Sequence, residues 1–136
     1  MTPVSVGVLL AIAVGLLGTI AGLDRDRAYY PVVAIVVASY YALFAVLGGS
    51  SQALVLESLV GLLFVAAAIA GFRRSLWIAA GALAAHGLFD FVHSGLIPNP
   101  GVPAWWPAFC LAFDVTAAAY LAWRLMARRV RAVASP

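Results

Sequence analysis

Both histidines of the chain, His86 and His93, flank Asp90 within one apolar stretch running from Ala84 to His93. At about 100° per residue, helical positions 86, 90 and 93 fall within an arc of roughly 60°, so one helix face presents His, Asp and His together. Two further acids, Glu57 and Asp114, also stand in apolar surroundings. Imidazoles and carboxylates are ligands for a divalent metal such as zinc, with an open position for water where the metal is catalytic. The same groups suit proton or cation handling, because His changes charge near neutral pH and membrane proton paths are built from Glu, His and Asp.

Spacing narrows the metal reading. His86 and His93 are two helical turns apart, about 10.5 Å along the axis, too far to share one ion without distortion. The better pairs are His86 with Asp90 (i, i+4) or Asp90 with His93 (i, i+3), completed by Asp114 or Glu57. The expected ligands are therefore drawn from His86, Asp90, His93 and Asp114, with Glu57 and Asp114 as the acids available for catalysis. Cys110 stands one turn before Asp114 on the same face and is either a soft ligand or a small buried apolar residue.

These residues must be positioned by membrane-spanning helices. The 136 residues are 65% hydrophobic and 10% charged, with a mean hydropathy of +1.07; a soluble core built from such runs would lack polar surface to cover it. The expectation is an all-α, single-domain polytopic membrane protein with five spans at about 3–23, 29–47, 52–72, 76–97 and 105–124. The first is read as an uncleaved span, because its charge follows the apolar run where a secretory signal would carry it before. Gly18 and Gly22 form a small-xxx-small pair for close helix approach. Asp24-Arg25-Asp26-Arg27 reads as a solvated, self-neutralising turn, and the prolines of Pro98-Asn99-Pro100-Gly101-Val102-Pro103 make a stiff loop that no helix can cross.

All eight strongly basic residues are Arg, which excludes Schiff-base chemistry on lysine. Every arginine lies in the first loop, the third loop or the C-terminal segment. The positive-inside rule then places the N-terminus outside and the C-terminus, with a short basic tail over 125–136, in the cytoplasm. Basic charge at helix ends implies membrane lipids as partners and no nucleic acid. The size and the absence of a eukaryotic sorting signal fit a bacterial inner membrane protein. A chain this small forms no wide pore alone, so a transporter would act as a homo-oligomer.

Depth ties the ionisable groups together. Glu57 lies roughly 8–10 Å and Asp114 roughly 13 Å from the arginine-free face, and His93, Asp90 and His86 lie roughly 6, 10 and 16 Å below Ile97. Three helices thus place their deep ionisable groups in one layer. In His86, Asp90, His93 and Asp114 this layer resembles the metal site of the intramembrane hydrolases of the alkaline ceramidase and adiponectin-receptor group. That group has three histidines, a serine and seven spans against two histidines and five spans here, so the likeness is one of site type. It implies a divalent metal and a lipid-like ester or amide as substrate. Proton-coupled or cation transport is the alternative, and a polar network that only locks helices together is the third. Membrane hydrogen bonds are worth about 0.6 kcal/mol on average, a small return for burying charge.

Overall fold

The computed structural model describes residues 1–127 and residue 130. Arg128, Arg129 and Arg131 of the expected basic tail lie outside these. Among the described residues the architecture is all-helical: α1 (Pro3–Ile20), α2 (Tyr29–Leu47), α3 (Ser51–Arg73), α4 (Leu76–Leu96) and α5 (Trp106–Met126), with a short 3₁₀ turn at Leu23–Arg25. All five helices are long and apolar enough to cross a membrane.

Local chemistry sets the boundaries. Thr2, Ser50 and Ser75 each cap a helix by accepting a hydrogen bond from a first-turn amide, as short hydroxyl side chains do at N-termini. Pro3 opens α1, where its missing N–H costs nothing. The first span ends at Ile20, earlier than expected, because Gly22 takes a left-handed conformation (φ 76°) that turns the chain. Gly22 therefore forms no helix face with Gly18, whose missing side chain instead makes room for the ring of Tyr29. The glycines that seat α1 on α5 are Gly7, against the Phe109 carbonyl, and Gly15, against the Tyr120 ring.

The bundle is inside-out by the standards of a soluble protein. On α3 the buried residues are Ala53, Glu57, Ala68 and Gly71, while Leu59, Leu62 and Leu63 are mostly exposed. A contiguous apolar exterior around a small-residue and polar interior is what a lipid solvent requires, since lipid gives no drive to bury leucine. α4 is the central element, packing on both α3 and α5 and also touching α2. Its buried face carries Ala79, Ala80, Ala82, Leu83, His86, Gly87, Asp90 and His93.

The acidic and basic turn after α1 corrects its sequence reading. Asp24 is 1% exposed and pairs with Arg124 of α5 at 2.8 Å, while accepting the Thr19 hydroxyl at 2.8 Å. Arg27 donates to the carbonyls of Gly71 and Phe72 at the end of α3. The turn is not self-neutralising. It ties α1 to α5, and α2 to α3, because an acid placed beside a helix end that another helix also reaches finds a stronger partner than its neighbours in sequence.

Candidate functional site

Gly87 is where the site begins. A side chain there would meet Asp114 Cβ at 3.0 Å and the Leu111 carbonyl at 3.2 Å, so its absence lets α4 approach α5 closely. The adjacent His86 reaches across, its Nδ1 donating to Asp114 Oδ2 at 2.6 Å. One turn along α4, Asp90 brings Oδ2 to 3.5 Å from the same Nδ1. One turn back on α5, Cys110 Sγ lies 3.7 Å from Asp114 Oδ2. His86, Asp90, Cys110 and Asp114 are all buried, and one ligand atom from each can be chosen so that all four lie within 4.8 Å of one another.

This group can hold a metal ion. Tetrahedral coordination with bonds of about 2.0–2.3 Å requires ligand atoms about 3.3–3.8 Å apart. The His86–Asp90 and Cys110–Asp114 separations of 3.5 and 3.7 Å fall in that range. The direct His86–Asp114 contact is shorter, and a bound ion would part these two atoms. Neither oxygen of Asp90 has a hydrogen-bond partner, nor does Asp114 Oδ1. Buried carboxylate oxygens without donors are costly, and a cation between them removes the cost. Among the described residues the one buried arginine is Arg124, which is engaged by Asp24.

His93 and Glu57, expected in the same layer, are placed together but apart from this group. His93 Nε2 donates to Glu57 Oε1 at 2.7 Å, and both side chains are buried. Asn99 Nδ2 donates to the same Oε1 at 2.9 Å and to the Tyr41 carbonyl at 3.0 Å. Asn99 is held by the proline loop, where Gly101 lies so close to the Phe44 carbonyl that a side chain could not fit. The ring of Tyr41 covers His93, with centroids 4.0 Å apart, and it also lies 6.3 Å from the rings of His86 and Phe44. Tyr41 thus stands between the two histidine pairs, with its buried hydroxyl unpartnered. Phe64 closes the far side of His86, edge to face at 4.8 Å.

The deep acids and histidines thus form two adjoining pairs, His86 with Asp114 and His93 with Glu57, with Asp90 beside the first. Cys110, left open between ligand and packing by sequence, lies within the first group. Asn99 was missed as a site residue. Its signal was that it is the single Asn of the chain, fixed between two prolines beside the layer. The two tryptophans at the start of α5 divide: Trp105 is half exposed and Trp106 is buried. No family model, curated protein or solved structure matches this chain.

Proposed function

We propose that this is an integral membrane protein that binds one divalent transition metal, zinc being the leading candidate, between α4 and α5 through His86, Asp90, Cys110 and Asp114. The observation that carries the reading is the set of three unpartnered carboxylate oxygens on Asp90 and Asp114 inside a four-donor group. One imidazole, one thiol and two carboxylates suit a borderline-soft ion such as zinc, whereas calcium and magnesium favour all-oxygen shells. Held by three of these donors, with water in the fourth position, a bound zinc would supply Lewis acidity and an activated water for hydrolysis of a lipid-like ester or amide, whereas held by all four it would be a closed, structural ion. The chain's own part is to orient the ligands: Gly87 sets the helix separation, and Phe64 and Tyr41 shield His86 from lipid.

Glu57 fits a supporting role better than that of a general base at the metal, because its Oε1 is bound to His93 and Asn99. We place the N-terminus outside and the C-terminus in the cytoplasm, in a bacterial inner membrane with lipids as the surrounding partners. Fusion reporters at each loop test that topology.

Cobalt(II) titration of the metal-free protein in detergent tests the site. A thiolate-to-cobalt charge-transfer band saturating at one equivalent, and lost in Cys110→Ser, is the expected result. Absence of any cobalt spectrum from well-folded protein refutes the reading. The second reading, proton transfer, is favoured by one feature, the pair of histidine–carboxylate contacts at 2.6 and 2.7 Å with Tyr41 between them. It predicts pH-dependent proton flux in liposomes that needs no metal and is lost in His93→Ala.

A further inference from the structure

The four-donor group uses none of His93, Glu57 and Asn99, and beside it one buried hydroxyl, that of Tyr41, has no partner. Tyr41 lies in the second half of α2 and is 2% exposed. A buried phenol ordinarily finds a partner for its hydroxyl, because a hydrogen bond left unmade in an apolar interior costs free energy. The first polar neighbour of this hydroxyl is Asp90 of α4, followed by Cys110 and Glu57. Asp90 in turn has His86, Tyr41, Asp114 and Cys110 around it, and neither of its oxygens makes a hydrogen bond. A buried donor and a buried acceptor thus stand side by side, both unsatisfied.

The residues outside the four-donor group hold Tyr41 at this point. The His93 ring lies against the phenol with centroids 4.0 Å apart and planes 33° from parallel. His93 is fixed by Glu57 at 2.7 Å. Asn99 spans from Glu57 Oε1, at 2.9 Å, to the Tyr41 carbonyl, at 3.0 Å. Ring and backbone of one residue are therefore secured by groups from α3, α4 and the proline loop. A polar set that only joined α3 to α4 would leave the direction of the Tyr41 hydroxyl unexplained. Metal ligation gives that direction a use. A carboxylate that offers one oxygen to an ion keeps a second oxygen that needs a donor, and metal ligands are ordinarily held by such a hydrogen bond. His86, Cys110 and Asp114 are ligands in their own right, which leaves Tyr41 as the donor beside Asp90.

We propose that Tyr41 is a positioning residue of the metal group: its hydroxyl donates to the Asp90 oxygen that does not bind the ion, and Glu57, His93 and Asn99 hold the phenol in place for it. This role rests on the metal reading and deepens it. The second histidine pair then serves the site without touching the ion. Loss of His93 loosens the ligand shell through Tyr41 and leaves the number of ligands unchanged.

The test is the zinc affinity of the full chain in detergent, measured by competition with a chromophoric chelator. Tyr41→Phe keeps the ring on His93 and removes only the hydroxyl. It is expected to bind one zinc per chain about 10–100-fold more weakly than the wild type, while being at least as stable to SDS when excess chelator is present. A lost packing contact would do the opposite, lowering stability in chelator and sparing affinity. His93→Ala is expected to weaken zinc by a smaller factor at the same stoichiometry, and wild-type affinity in that variant overturns the supporting role of the second pair. Wild-type affinity in Tyr41→Phe overturns the proposal and leaves the metal reading standing, whereas a wild type that binds no zinc overturns both. Infrared difference spectra, zinc minus chelator, of protein grown on ring-labelled tyrosine read the hydrogen bond itself. One tyrosine C–O stretch is expected to shift in the wild type and to be absent from the Tyr41→Phe spectrum. A zinc-loaded wild type in which no tyrosine band moves overturns the proposal without recourse to any variant.

Discussion

Replacing Asp90 by Leu should make the metal-free protein more stable and leave it unable to bind zinc. Asp90 is fully buried; neither carboxylate oxygen has a hydrogen-bond partner, and its charged neighbour is His86 Nδ1 at 3.5 Å. An unsatisfied buried polar group costs about 1–3 kcal/mol, more when charged. Leu has the same number of side-chain heavy atoms as Asp, but its two methyls are bulkier than two carboxylate oxygens, and overpacking costs about 1–3 kcal/mol where a core cannot give. Asp90→Asn, without that extra volume, is the companion variant. The net expectation for the metal-free protein is a gain of about 0–2 kcal/mol for at least one of the two. With zinc present the order reverses. Free zinc at a thousand times its dissociation constant stabilises the wild type by about 4.1 kcal/mol through binding to the folded state alone, and the variants lack that increment. Unfolding by SDS in mixed micelles, with chelator and with a buffered zinc series, reads both quantities. A loss of more than about 3 kcal/mol in chelator for both variants would show that Asp90 is held by contacts that matter without metal. That result, with an undiminished zinc increment, would refute the reasoning.

The Asp24–Arg124 pair supplies a second prediction. Asp24→Asn or Arg124→Gln alone should destabilise by about 3–5 kcal/mol, because each strands a buried charge. The double variant Asp24→Leu/Arg124→Met should be closer to wild type than either single change, which the same unfolding assay measures as a coupling energy. Additive single and double effects would mean the pair is solvated. His93→Ala should leave zinc stoichiometry unchanged, since His93 is bonded to Glu57 outside the four-donor group, yet should lower stability by about 1–3 kcal/mol by stranding a buried acceptor. Loss of zinc in His93→Ala would instead place that histidine in the ligand shell.

The five helices were legible because lipid demands long apolar runs, and such runs are visible in a single sequence. Boundaries shifted by up to three residues where a backbone conformation intervened, as at Gly22. Depth and helical phase brought Asp114 and Glu57 into one layer with His86, Asp90 and His93, and axial distance separated His93 from His86, but the contact of His86 with Asp114 was seen only in the structure. What phase does not reveal is which neighbour each group faces. Glu57 meets His93 and not Asp114 because Asn99, held by a glycine-tight loop, orients its carboxylate. Cys110 and Asp114 share a face by the i, i+4 rule, but only the closeness of α4 at Gly87 turns that face into a four-donor group. Asp24 was misread because its partner lies on the last helix, a hundred residues along the chain, where local charge pattern carries no information.

Elemental analysis of the detergent-purified protein, beside His86→Ala, Asp90→Asn, Asp114→Asn and His93→Ala, tests the central claim most directly. The account predicts close to one zinc or other divalent transition metal per chain in the wild type and in His93→Ala, and loss of it in the other three. A well-folded wild type without metal, or metal retained equally by all four variants, would contradict it.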